Sequence, residues 1–233
     1  MRIAGAAIDQ KTCVVAIYQL GNCMLSRTGN QTARIESLAR AVQLQLTAMP
    51  AAAPFLTDWP HLAATRPTQV GRLPVCRWLA SLEPLAAPAT RALVRDFVAA
   101  ADILEWRQTY SAVDFGPEFL ERYGWTELVG RRGPIGSEKV ACGFLMLGPE
   151  TEYPAHAHEA EEIYLPLAGE ALWMRGEESF VARAPGAMIE HSSWTPHATR
   201  TREDPLLALY LWRGANLAAK SEIVGKEPGA PRR

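Results

Sequence analysis

Four of the five histidines in this chain lie between positions 156 and 197, and three glutamates (Glu159, Glu161 and Glu162) sit among them. The densest string is Tyr153-Pro-Ala-His156-Ala-His158-Glu-Ala-Glu-Glu162-Ile-Tyr164. Side chains on a strand alternate faces, so His156 and His158 share one face, and so do Glu162 and Tyr164. A short turn setting the two pieces side by side would bring two imidazoles and a carboxylate together, and His197 from a later strand would complete the set. Three nitrogens and one oxygen suit one divalent transition metal (Fe, Zn, Mn, Ni or Co) with open positions for substrate. The donors do not choose among these metals. A lone His-x-His is more often wall furniture than a ligand pair, so the weight rests on the full pattern.

Such a set must be held by strands. From residue 133 onward, short apolar runs alternate with Gly, Pro and acidic turns at 140–147, 161–167, 170–175, 178–183, 186–190, 197–202 and 206–213. Seven short strands at near-regular spacing indicate a sandwich or barrel. Ala168-Gly169-Glu170 and Arg175-Gly176-Glu177 suit hairpin turns, because Gly tolerates positive φ.

Before residue 133 the pattern is mostly helical. Ile35, Leu38, Val42 and Leu46 recur at helical spacing, as do Leu93, Phe97, Ala101 and Leu104. A third short helix is expected over 117–123, with Asp114 as capping candidate, Pro117 in its first turn and Gly124 as its stop. The Pro-rich stretch between the first two (Pro50, Pro54, Pro60, Pro67, Pro74) is expected to be irregular. Residues 1–30 fit neither period and are set apart as an N-terminal extension, with Met24 an alternative start. The expected organisation is a helical region over 31–132, a barrel over 133–217 and a C-terminal tail over 218–233, whose Gly, Pro, Lys and Arg from 225 suggest disorder. The apolar helix faces need cover, from the barrel or from a homodimer.

Bulk properties exclude several classes. The 24 basic residues against 25 acidic ones give a net charge of −1. Nucleic acid and anionic membranes reward a surplus of Lys and Arg, so neither is the expected partner; a small-molecule substrate is. Cys13, Cys23, Cys76 and Cys142 lie far apart and form no CxxC pair, which reads as reduced thiols in the cytoplasm. No apolar run reaches membrane-spanning length, and Asp9, Gln10 and Lys11 interrupt what would be a poor signal peptide.

The spacing His156-x-His158, Glu162, Gly169 resembles the first motif of the cupin barrels. The second motif maps onto Gly186, Ser192, Trp194, His197 and Thr201, keeping the histidine but replacing its Pro, second Gly and Asn. Gly148 stands two residues too far from His156, and His191 falls outside the pattern, which makes it a structural residue or a neighbour of the ligands. The resemblance implies a mainly β fold with added α: a cupin (double-stranded β-helix) barrel behind an N-terminal helical region.

Tyr153 to Gly169, YPAHAHEAEEIYLPLAG, goes further and resembles the cupin-type dimethylsulfoniopropionate lyases, in which one Tyr precedes the His pair and another follows the Glu by two. The Leu73–Leu79 segment LPVCRWL and the Tyr210-Leu-Trp212 strand are similar as well, and the likeness runs over residues 30–215. It implies a carbon–sulfur lyase releasing dimethyl sulfide and acrylate, with ligands His156, His158, Glu162 and His197 and a catalytic base at Tyr164 or Tyr153. The chemistry is consistent: an α proton beside a carboxylate is weakly acidic, so a cation must stabilise the developing charge. A phenol of pKa about 10 needs the same cation nearby. Aromatic faces bind a methylated sulfonium, for which Trp173, Trp194, Tyr210 and Trp212 are available, although small barrels need such rings as filling anyway. The first motif alone equally fits a cupin dioxygenase or isomerase on another small carboxylate, and a non-enzymatic binding cupin remains a third reading.

Overall fold

The computed structural model describes residues 10–63, 66–67 and 69–225, with side chains from Gly29 onward. The start of the expected N-terminal extension and the tail from 226 lie outside them. The helices are α1 (Gln10–Thr47), α2 (Ala53–Leu56), α3 (Arg91–Ala100), α4 (Ala112–Phe115) and α5 (Pro117–Glu121). The Pro-rich stretch, expected to be irregular, forms short helical turns at Pro50–Ala52, Ala53–Leu56 and Pro74–Ser81, each with Pro in its first two positions. Proline's fixed φ is pre-set for that place. Asp114 does not cap α5; it closes a capping box with Ser111 at the start of α4. Gly124 ends no helix, since it already lies in a strand.

Twelve strands follow: β1 (Trp106–Arg107), β2 (Tyr123–Gly130), β3 (Ile135–Gly136), β4 (Val140–Leu147), β5 (Glu152–Ala157), β6 (Glu161–Ala168), β7 (Ala171–Arg175), β8 (Val181–Arg183), β9 (Ile189–His191), β10 (His197–Thr201), β11 (Leu206–Arg213) and β12 (Glu222–Ile223). They form two sheets, one ordered β1-β2-β4-β11-β6-β9 with β3 beside β2, the other β12-β5-β10-β7-β8. Every pairing is antiparallel except that of β2 with β3.

Two boundaries differ from expectation. The sheet begins upstream of 133, because β2 pairs with β4 along its length. A register shift between Glu127 and Val129 cuts short the two-residue alternation of Tyr123, Trp125 and Glu127. The segment 218–225 is not simply a tail: β12 pairs with β5, and Ser221 is buried.

Helices α1, α2 and α3 lie on the outer face of the larger sheet, whereas Phe115 of α4 and Phe119 of α5 pack with the inner aromatic residues. Ile35, Leu38, Val42 and Leu46 of α1 and Leu93, Val94 and Phe97 of α3 share one core with Val140, Cys142, Phe144 and Met146 of β4 and Leu207, Leu209 and Leu211 of β11. The odd residues of β4 and the even residues of β11 face inward. Both faces are thus buried, which is why these strands read as unbroken apolar runs. The Thr90 hydroxyl at the head of α3 donates to the Leu167 carbonyl of β6 at 2.6 Å, tying the layers together. Burying each large apolar side chain in this layer contributes about 1.5–3 kcal/mol.

Gly169, between β6 and β7, has φ 79°, and a Cβ there would stand 2.0 Å from the Pro205 carbonyl oxygen. Gly169→Ala should cost about 2 kcal/mol or more and lower the urea unfolding midpoint. The expected hairpin at 168–170 is instead a turn between the two sheets, since β6 and β7 do not pair; an unchanged midpoint would show that this turn does not need the glycine.

Candidate metal centre

The inward faces of both sheets converge on one polar cluster. β5 carries Tyr153 and His156, His158 follows its end, β6 carries Glu162 and Tyr164, and β10 opens with His197, which pairs in register with His156. His156, His158, Glu162 and His197 are each 4% exposed or less. Potential ligand atoms of His156, His158 and His197 lie within 4.8 Å of one another. Glu162 Oε2 is 3.1 Å from Nε2 of both His158 and His197.

The backbone sets the orientation of the three rings. Nδ1 of His156 lies 2.8 Å from the Pro154 carbonyl, that of His158 3.0 Å from Ala160, and that of His197 2.8 Å from Thr195. A ring nitrogen facing a carbonyl donates to it, which turns each Nε2 to the centre, where that of His158 meets Glu162 Oε2 at 3.1 Å. His197 Nε2 has no aligned hydrogen-bond partner despite its nearness to Glu162. A lone pair beside a carboxylate oxygen, both buried, is the donor arrangement a cation would satisfy. The buried His/Glu group thus has the make-up of a metal site.

His191 of β9 stands beside this group, its ligand atom also within 4.8 Å of those of Glu162 and His197. Its ring stacks on His197 at 4.1 Å with an interplanar angle of 11°. An imidazole lone pair lies in the ring plane, and two parallel stacked planes cannot both contain one ion. Only one of the pair can ligate, and His197 is the one turned by its carbonyl contact.

Burial alone would raise the Glu162 carboxyl, but His158 and His197 outweigh it and hold the group well below the ordinary carboxylate range. Burial works against a charged His158, yet the Glu162 carboxylate wins and raises it. His156 is pushed well below its ordinary value by burial, with His197 adding to it. The phenols of Tyr164 and Tyr153 are raised by burial, and for Tyr164 the Glu162 charge adds to the effect.

Beside the cage lies a cavity of about 290 Å³ with Tyr153, Tyr164, Tyr210 and Trp212 in its wall. The Trp212 indole N–H donates to Glu162 Oε1, and its ring packs on His158 at 4.3 Å. Tyr153 stacks on His156 at 4.2 Å, its hydroxyl 3.5 Å from that of Tyr110. Two of the expected substrate aromatics are placed otherwise. Trp173 is buried behind Tyr164 at 5.0 Å and lines no part of this cavity. Trp194 is 50% exposed at a turn with φ 59°, where its backbone N–H donates to the His158 carbonyl at 2.7 Å. Its contribution to the centre is through the main chain. Sequence reasoning missed Tyr123, Trp125 and Glu127, which β2 aligns along the same wall; their spacing of two was the signal.

Residues 59–208 match the sequence profile of the dimethylsulfoniopropionate lyase family. The chain belongs to that family. It is 36% identical over 165 residues to the dimethylsulfoniopropionate lyase DddQ of Ruegeria pomeroyi, covering 71% of this chain and 82% of the relative. A putative dimethylsulfoniopropionate lyase, DddL of Cereibacter sphaeroides, is 34% identical over 130 residues, 54% of this chain and 53% of that one. The crystal structure of DddQ from Ruegeria pomeroyi superposes with a TM-score of 0.76 at 32% identity, covering 84% of this chain and 98% of that one. The helical layer on a cupin barrel is thus the architecture of this lyase family. No helix among the described residues is long and apolar enough to cross a membrane.

In this family member, Trp212→Phe would keep the ring against His158 but leave Glu162 Oε1 without its donor. Removing such an outer partner should weaken metal affinity by about 10–100-fold, measured by competition with a chromophoric chelator. Unchanged affinity would show that the indole N–H does not position the carboxylate.

Proposed function

We propose that this chain cleaves dimethylsulfoniopropionate into dimethyl sulfide and acrylate, with His156, His158, Glu162 and His197 holding one divalent metal ion and Tyr164 acting as the base. The observation that carries the reading is that both tyrosines stand in the wall of one cavity directly beside the histidine–carboxylate cage. An ion held there would bind the substrate carboxylate and stabilise the negative charge that develops next to it.

The protein's own groups account for the rest. Tyr164 is the tyrosine whose phenol interacts with Glu162, whereas the Tyr153 hydroxyl faces Tyr110. A cation in the cage would offset the burial and the Glu162 charge that raise the Tyr164 phenol and favour its phenolate. As phenolate, Tyr164 takes the α proton, the released electron pair forms the Cα–Cβ double bond, and the Cβ–S bond breaks with its pair leaving on sulfur. Charge balances: the zwitterion and the phenolate give neutral dimethyl sulfide, the acrylate anion and the neutral phenol. Tyr153, stacked on His156, orients that ring and closes the cavity wall. The buried aromatic surroundings exclude water, which strengthens every charge interaction inside.

Loss of a general base costs about 10²–10⁴-fold in rate. Tyr164→Phe should therefore lower dimethyl sulfide release, followed by gas chromatography, by at least about a hundredfold with metal content unchanged. Tyr153→Phe should retain more activity. The reverse ranking would move the base to Tyr153, and full activity in both variants would remove the tyrosine mechanism.

A further inference from the structure

The cavity has a second end, away from the cage. Glu127 is the only carboxylate among its described lining residues, and it is 7% exposed. Its Oε1 accepts the backbone N–H of Arg132 and, at 2.8 Å, that of Gly133. These two donors fix the carboxylate, and no described ion pair uses it. The cations of the same wall are engaged elsewhere: Arg107 with Glu105 at 2.5 Å, Lys220 with Asp114 at 3.6 Å, and the Arg132 guanidinium with the Ala218 carbonyl at 2.9 Å. Arg132 and Arg107 act on the Glu127 carboxylate from a distance, but no cation among the described residues forms an ion pair with it, which leaves room for one from a ligand.

Strand register explains how this acid reaches the substrate aromatics. Glu127 pairs with Gly143, Gly143 with Tyr210, and Tyr210 with Tyr164, one row across β2, β4, β11 and β6. Gly143 leaves the gap: a Cβ there would stand 1.9 Å from the Thr126 carbonyl, 2.8 Å from the Tyr210 hydroxyl and 2.9 Å from Glu127 Cα. Across that gap the Tyr210 phenol sits beside Glu127. Trp125, two residues earlier on β2, meets Tyr210 edge-on at 6.5 Å, and Trp212 lies 6.0 Å further along. Aromatic faces and one carboxylate around a small space are the chemistry that recognises a methylated onium cation. Burial raises the Glu127 carboxyl, and a cation beside it would favour the ionised form.

We propose that Glu127, with Trp125 and Tyr210, binds the methylated onium end of the substrate and selects small zwitterions over carboxylates of the same shape whose far end is uncharged; this rests on the lyase reading above. The cage then takes the carboxylate end and this box the cationic end, with Tyr164 facing the carbons between them.

The test compares two ligands of the zinc-loaded protein by isothermal titration: trimethylammonio propionate and its tert-butyl analogue, in which carbon replaces nitrogen. The wild type should bind the ammonium compound at least about tenfold more tightly. Glu127→Gln keeps an acceptor for the Arg132 and Gly133 N–H groups and removes only the charge. It should cut that preference at least about threefold, leaving only the aromatic share from Trp125 and Tyr210, with tert-butyl binding unchanged. A preference undiminished in Glu127→Gln, equal weakening of both ligands, or no preference in the wild type would each overturn the proposal. A wild type that shows the preference but forms no dimethyl sulfide would instead sink the lyase reading and leave the onium site standing.

Discussion

A carboxylate 1% exposed to solvent has to be surrounded by partners, and Glu162 draws them from four places in the chain. His158 reaches it from the end of β5, His197 from the start of β10, Trp212 from β11, and His191 lies opposite in register on β9. The two sheets are therefore joined at one charged point as well as by apolar packing. Leaving that charge uncompensated would cost several kcal/mol, so the partners are under strong constraint to stay in place. The carbonyls of Pro154, Ala160 and Thr195 extend the constraint by fixing the tautomer of each imidazole. Three imidazole nitrogens and one carboxylate turned to a single point form a donor set that suits a cation.

The helical layer makes this arrangement affordable. Because α1 and α3 bury the outer face of the larger sheet, apolar burial there supplies much of the stability. The inner face is then free to carry phenols, imidazoles and carboxylates. Along that face the chemistry is graded: the ligand set at one end, Tyr164 and Tyr210 in the middle, Glu127 beyond the gap at Gly143. A zwitterion has its own two ends, and the wall has a matching pair.

Legibility in the sequence followed the strength of the local pattern. The convergence of His156, His158, Glu162 and His197 could be read because ligand spacing and strand parity are both short-range. Strands β4, β6 and β11 were visible as apolar runs, and Gly169 and Gly176 as turns. Parity also put Tyr210 and Trp212 on the inner face together. The remainder depended on tertiary facts. β2 was harder to read because its alternation holds only from Tyr123 to Glu127 before the register shift, and because Thr126 and Glu127 are polar yet buried, so the two-residue spacing of Trp125 and Glu127 went unread. Trp194 has the right residue type, but its positive φ turns the ring to solvent and leaves only the main chain near His158. Trp173 faces inward, as its strand requires, yet Tyr164 stands between it and the cavity. An aromatic's type says that it will be buried, whereas what it touches is decided by its neighbours across the sheet.

The central claim joins a cation cage to an elimination. The most direct measurement incubates the metal-loaded wild-type protein with dimethylsulfoniopropionate and follows acrylate by proton NMR alongside dimethyl sulfide in the headspace. The account predicts that the two products appear in equal amounts, and that a chelator which strips the metal stops both. Persistence of the substrate with the metal bound, or product formation undiminished after the metal is removed, would contradict it.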